Sequence, residues 1–241
     1  MISVCMVTYN GEKYIREQLD SIITQLDKKD EIIISDDGSS DETLNIIESY
    51  KDSRIFLFKN SFNNVVLNFE FVIGKSKGDY IFLTDQDDIW HKDKVKSYMD
   101  CFLKKPNISL LLSNIQIIDK YGIHLDRLFY KNKFSDNLFK NLIKNNFIGC
   151  TMAFTKATKN IILPFPKVIA MHDWWIGSCC KIHGRVFFID KKLHFYRRHD
   201  TNATKERGES FWIRLKWRVN LIKNLMFRYI KIHSTFNKTI K

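Results

Sequence analysis

Residues 1 to 113 alternate short β-branched runs with stretches of helical periodicity, the pattern of a mostly parallel sheet covered by helices. The runs predict strands at 2–8, 31–35, 55–58, 80–84 and 109–113. Between the first two, Ile15, Leu19, Ile22, Ile23 and Leu26 fall on one helical face. Helices over 41–51, 65–75 and 92–104 follow the same test. Ser39 with Glu42 three positions on predicts a capping box for the second helix. With 241 residues, 44% apolar content, 9 Gly and 3 Pro, the chain can bury a full core, which excludes collagen-like and disordered classes.

Past residue 114 the alternation weakens. Phe147–Phe154 reads as a buried strand, a helix starts near His172, and strands follow at 185–189 and 192–197. The five cysteines have no CxxC spacing and mostly lie in apolar runs, which predicts unpaired thiols in a reducing cytoplasm rather than a disulfide framework. Neither a signal peptide nor an 18-residue apolar run is present, so export and membrane spanning are not expected. The expected organisation is a domain over 1–205, with halves at 1–113 and 114–205, followed by a basic helical tail over 206–241.

Three of the early strands end in polar clusters: Thr8-Tyr9-Asn10-Gly11, Asp36-Asp37-Gly38-Ser39-Ser40-Asp41 and Asp85-Gln86-Asp87-Asp88. In an open parallel sheet the carboxyl ends of strands share one edge, where ligands bind. Each cluster alone also fits a turn with a helix cap; the three together are expected to converge. Packed carboxylates repel unless a cation or protons intervene, so the last cluster points to Mg²⁺ or Mn²⁺ completing its shell with substrate phosphate oxygens. An acidic helix start is the alternative. Neither GxGxxG nor GxxxxGK[ST] occurs, so a nucleotide would be held by side chains and metal.

Val7–Gly11, Ser35–Thr43 and Gly78–Trp90 resemble, in order and spacing, the three signature blocks of family 2 glycosyltransferases, in particular the rhamnosyltransferase-like and galactosyltransferase-like bacterial branch. The resemblance implies a GT-A fold: a Rossmann-like, mostly parallel sheet flanked by helices, here with a C-terminal amphipathic helix. It also implies roles. Thr8, Tyr9 and Asn10 would line the nucleotide base, and Asp37, with Asp36 beside it, would accept its hydrogen bond. Asp85-Gln86-Asp87 matches the DxD motif, with Asp85 facing ribose and metal and Asp87 binding the metal, although Asp88 could share that work. Met171–Trp175 matches the block that supplies the catalytic base, which would be Asp173, with His172 as modifier. Tyr196–Asn202 matches a late block in which His199 would ligate the metal and Arg197 or Arg198 neutralise the leaving diphosphate. Gly149, Cys150 and Thr151, with Trp90, His172 and Trp174, would wall the donor-sugar or acceptor side.

This implies metal-dependent, inverting transfer from a UDP- or dTDP-sugar to a saccharide or lipid-linked saccharide in surface polysaccharide synthesis. A Mg²⁺-dependent phosphohydrolase or nucleotidyltransferase is the alternative the acidic strand ends leave open. It does not explain Thr8-Tyr9-Asn10 or His172-Asp173. A non-catalytic membrane- or nucleic-acid-binding module explains only the tail.

Of the net charge of +12, nearly all lies at the end: residues 191–241 hold 14 Lys/Arg against 3 Asp/Glu, and residues 1–190 hold 25 against 24. From Phe211 to Ile232, a stripe of Phe211, Leu215, Val219, Ile222, Met226 and Tyr229 faces a largely basic remainder, as an interfacial membrane helix requires. We therefore expect residues 209–232 to meet an anionic membrane, with the protein peripheral to the cytoplasmic face and no nucleic acid bound. A helix docked on the body and a nucleic-acid arm are the other readings.

Overall fold

The computed structural model of the chain describes residues 1–126, 134, 135, 137–200 and 210–239. Its strands are β1 (Ile2–Thr8), β2 (Glu31–Asp36), β3 (Ile55–Lys59), β4 (Tyr80–Asp85), β5 (Ile89–Trp90), β6 (Ile108–Ile118), β7 (Ala153–Thr155) and β8 (Arg185–Arg197). They form one sheet in the order β3-β2-β1-β4-β7-β6-β8-β5. The first four run parallel, as does β6 with β8, while β7 is antiparallel to β4 and β6. Its helices are α1 (Ile15–Ile23), α2 (Thr43–Ser49), α3 (Val65–Lys75), α4 (Lys94–Lys104), α5 (Leu138–Ile143), α6 (Lys156–Ile162), α7 (His172–His183) and α8 (Phe211–Thr239).

The central strands are long apolar runs because helices cover both faces: every residue of β1 and β2 is buried. Ile15, Leu19, Ile22, Ile32, Ile34 and Phe82 pack on one side. Cys5, Phe69, Ile73, Leu110, Trp174 and Trp175 pack on the other. Burying each such side chain contributes roughly 1.5–3 kcal/mol.

Several local expectations need correction. The capping box is absent: α2 starts at Thr43 without a side-chain cap, because Ser39 Oγ donates to Asp36 Oδ2 at 2.6 Å. The strand expected over 147–154 is reduced to Ala153–Thr155, since Gly149–Thr151 winds into a 3-10 turn whose first carbonyl accepts the Met152 amide. The two late strands are one strand, β8, whose pairing with β6 is irregular near Asn114. All five cysteines are free thiols.

The tail is a docked helix. Leu221 and Leu225 of α8 are 4% exposed and join the cluster of Trp174 and Trp175, with Trp217 packed beside them. Arg228 Nη1 donates to the carbonyls of Ile161 and Leu163, both at 2.7 Å, and Arg218 Nε to that of Ile143 at 2.9 Å. The stripe read from the sequence is not the docking face: Phe211, Val219, Ile222, Met226 and Tyr229 are 43–61% exposed. Among the described residues, no helix is long and apolar enough to cross a membrane.

Candidate active site

The ends of β1, β2 and β4 meet. Tyr9 N donates to Gln86 Oε1 and Gln86 Nε2 to the Tyr9 carbonyl, both at 2.9 Å, which ties the first polar cluster to the third. Asn10, at φ 48, donates its amide to Ser39 Oγ and accepts from the Ser40 amide at 2.9 Å, which ties it to the second. A Cβ on Gly11 would sit 2.2 Å from Gln86 Oε1, so any larger residue here would push the Gln86 side chain off Tyr9.

Within the second cluster, buried Asp36 organises the loop, accepting from Thr8 Oγ1 (2.8 Å) and from the Gly38 and Ser39 amides. Asp37 accepts the amides of Asn63 and Asn64, and so holds the 60–64 loop at the rim. Tyr9 is 58% exposed there.

The three acids after β4 diverge. Asp87 Oδ2 lies 2.8 Å from His199 Nε2, so the late block does return to the DxD motif. Asp88 turns inward: it is 1% exposed, Oδ2 is 2.7 Å from His194 Nε2, and Oδ1 accepts the Arg197 amide. Burial, with the charges of Asp88, Asp87 and Asp173, pushes the Asp85 carboxyl well above the usual carboxylate range. Burial and Asp87 raise Asp88 likewise.

Sequence reasoning missed the cation beneath this cluster. Lys94 is fully buried, donating to the Cys150 carbonyl at 3.0 Å and lying 2.9 Å from His194 Nδ1 and 4.2 Å from the Trp90 ring centroid. His194 therefore bridges Lys94 and Asp88 through its two ring nitrogens, and burial lowers Lys94 to about 7. Asp88, Cys150 and His194 bring potential ligand atoms within 4.8 Å of one another, the composition of a transition-metal site. The signal available was a lysine in register with Val95, Tyr98 and Phe102 on the buried face of α4.

The expected wall is partly a second layer. Trp90 (2% exposed) donates Nε1–H to Thr84 Oγ1 inside the core, and Cys150 and Thr151 are closed off by Lys94 and by Tyr98, whose hydroxyl donates to the Thr151 carbonyl. These three therefore support the site rather than face it. Arg197 is likewise a brace: its Nε donates to the Asp87 carbonyl at 2.8 Å, Nη2 pairs with Glu17, and the guanidinium stacks 4.8 Å from the Tyr14 ring centroid. Arg198 is partly exposed. Thr201 and Asn202 of the late block lie outside the described residues.

Asp173, in the first turn of α7, is 9% exposed. Burial raises its carboxyl to about 6, against the donors of the Trp174 amide (2.6 Å to Oδ1), Asn145 Nδ2 (3.0 Å to Oδ1) and the Gly149 amide. His172 stacks on Phe69 with centroids 3.9 Å apart, and burial lowers it to about 3, so the ring is neutral. Trp174 donates Nε1–H to the Asn141 carbonyl.

The site thus joins an acidic edge to a further buried carboxyl, Asp173, raised to about 6, which is equipment for binding a cation-bridged diphosphate and removing a proton from a hydroxyl.

Comparison with known proteins gives the same class. The model of glycosyl transferase family 2 matches residues 3–161. A dTDP-rhamnosyl transferase, RfbG of Shigella flexneri, is 34% identical over 92% of this chain and 81% of its own length. The UDP-Glc:alpha-D-GlcNAc-diphosphoundecaprenol beta-1,3-glucosyltransferase WfgD of Escherichia coli is 30% identical over 70% of this chain and 65% of its own. The fold is similar to the crystal structure of S. aureus TarS 1-349 in complex with UDP-GlcNAc, with a TM-score of 0.73 at 20% identity, covering 92% of this chain and 66% of that one. The curled, mostly parallel sheet is the fold of that solved structure, and this chain belongs to glycosyl transferase family 2.

Proposed function

We propose that the chain carries out metal-dependent, inverting transfer of a sugar from a dTDP- or UDP-linked donor to a hydroxyl of a saccharide or lipid-linked saccharide during surface polysaccharide synthesis. The observation that carries this reading is Asp173, a single buried carboxyl at about 6 whose charge reaches Asp85. In the deprotonated form it takes the acceptor hydroxyl's proton as the oxygen attacks the anomeric carbon opposite the departing nucleoside diphosphate. One base and one displacement invert the configuration. Tyr9, Asn10 and Asp37 are assigned to the nucleotide, with buried Thr8 and Asp36 bracing the loop behind them, and partly exposed Arg198 is assigned to the diphosphate.

Asp87 and His199 would offer a divalent ion oxygen and imidazole nitrogen, and the 2.8 Å between Asp87 Oδ2 and His199 Nε2 suits neighbouring ligands of one ion with bonds of about 2 Å; Asp85 is assigned to the same ion by the family resemblance alone. When bound, Mn²⁺ or Mg²⁺ would supply neutralisation of the diphosphate charge. The similarity to RfbG favours dTDP-rhamnose as the first donor to try. Incubating the protein with dTDP- and UDP-sugars, Mn²⁺ and an acceptor panel, then reading the new anomeric centre by NMR, tests the reading. Retained configuration, or inorganic phosphate as product, would overturn it.

The outward stripe of α8, with Arg214, Lys216 and Lys223 beside it, supports peripheral binding to the anionic cytoplasmic face of a membrane.

A further inference from the structure

The Asn/Lys-rich stretch between β6 and α7 carries no motif, yet it reaches the proposed base. Asn145 Nδ2 lies 3.0 Å from Asp173 Oδ1. Its own Oδ1 accepts the Phe147 amide at 3.0 Å, and only a carbonyl oxygen can do so, which fixes the carboxamide with its N–H₂ toward Asp173. The stretch is held on both sides of this contact. Asn146 Nδ2 donates to Asn141 Oδ1 at 3.0 Å, and the Asn141 carbonyl accepts Trp174 Nε1–H at 2.7 Å. On the other flank, Arg218 of α8 grips the Ile143 carbonyl. The Gly149 amide, at the far end of the same stretch, is a further donor to Asp173.

We infer that Asn145 is a positioning residue for Asp173: its side-chain amide fixes which carboxylate lone pairs remain directed at the acceptor hydroxyl. The inference rests on the reading of Asp173 as the base. The Trp174 amide and Asn145 both occupy Oδ1, which leaves Oδ2 as the oxygen that takes the proton. The titratable groups facing this carboxyl are Asp85 at the end of β4 and His172 beside it, and the latter is neutral throughout the working range.

The full-length protein with ¹³C-labelled aspartate carboxyls tests this by NMR titration, with Asp173→Asn assigning the resonance. The wild-type midpoint is expected near 6. Asn145→Ala removes one donor to the charged form, so the midpoint rises by about one pH unit. Asn145→Asp, which keeps the size and brings a second carboxylate, raises it further. A merely structural role would loosen the stretch, admit water and lower the midpoint toward the ordinary aspartate value, which overturns the inference, as does an unchanged midpoint. In steady-state transfer, Asn145→Ala is expected to lower kcat about tenfold with donor KM unchanged. A rise in KM at constant kcat also overturns it. If Asp173→Asn still transfers sugar, the base assignment fails, while the carboxyl titration of the Asn145 variants still decides whether Asn145 governs Asp173.

Discussion

His199 Nε2 lies 2.8 Å from Asp87 Oδ2, although the two residues are 112 positions apart. The contact closes the strand-end edge of the sheet with a segment that follows β8, the last strand, and it pairs the two side chains proposed to share a metal.

Asp87→Ala is expected to abolish Mn²⁺ binding measured by electron paramagnetic resonance, and His199→Ala to weaken it at least about tenfold. A chelator should stop transfer by the wild type and excess Mn²⁺ restore it. Wild-type affinity in either variant would remove that side chain from the metal site.

Transfer is expected to fall as pH drops through about 6, because the base must be ionised. Stability should show the opposite trend. A carboxyl raised in the folded state holds its proton better there than in the unfolded chain, so its stabilising contribution is complete below the ordinary aspartate range and is lost as pH rises through about 6. Asp173→Asn should therefore be inactive yet more stable by about 1–2 kcal/mol at pH 7. Urea unfolding at pH 5 and pH 7 checks the sign.

A Cβ at Gly149 would lie 2.5 Å from His172 Nε2, and the stacking on Phe69 leaves the ring little room to retreat. Gly149→Ala should cost about 1–3 kcal/mol and displace the amide that supports Asp173, lowering transfer as well as the unfolding midpoint. Full activity in this variant would show that the ring can move.

Lys94→Met removes the amine from a buried Lys94–His194–Asp88 chain and leaves His194 Nδ1 and the Cys150 carbonyl without that partner. The expected loss is about 1–3 kcal/mol by urea unfolding. A triple change of Lys94, His194 and Asp88 to apolar residues should lose less than the single one.

Val219→Asp with Met226→Asp places two acids on the outward stripe of α8, where both positions are more than half exposed. Co-sedimentation with phosphatidylglycerol vesicles should fall with the unfolding midpoint unchanged. Leu221→Asp, on the docking face, should lower the midpoint instead.

Much of this was readable in the chain. β1, β2, β3 and β4 fall within a residue of their apolar runs; for β1, β2 and β4, burial on both faces leaves little freedom in composition. The DxD acids stood out for the same reason: a carboxylate cluster directly after Tyr80-Ile81-Phe82-Leu83-Thr84 has few structural uses. What stayed hidden depends on partners far away in sequence. Asn145 is one asparagine among several until α7 delivers Asp173, 28 positions on. Trp90 reads as a site aromatic, and only the approach of Thr84, Phe82 and Lys94 makes it core. In α8 the projection found an apolar arc correctly, but Trp217, Leu221 and Leu225 form a second arc, and periodicity alone does not say which one the body takes.

The clamps of Arg218 and Arg228 on backbone carbonyls bear on how a peripheral enzyme would work. A basic tail on a loose linker would act as a leash, keeping the protein near a surface while its crevice turned in every direction. An α8 bolted to α5 and to the segment after α6 acts as a keel. Were its outer stripe seated on a bilayer as proposed, the heading of the crevice would be set, and a hydroxyl presented at fixed height above that surface would meet Asp173 from one direction only.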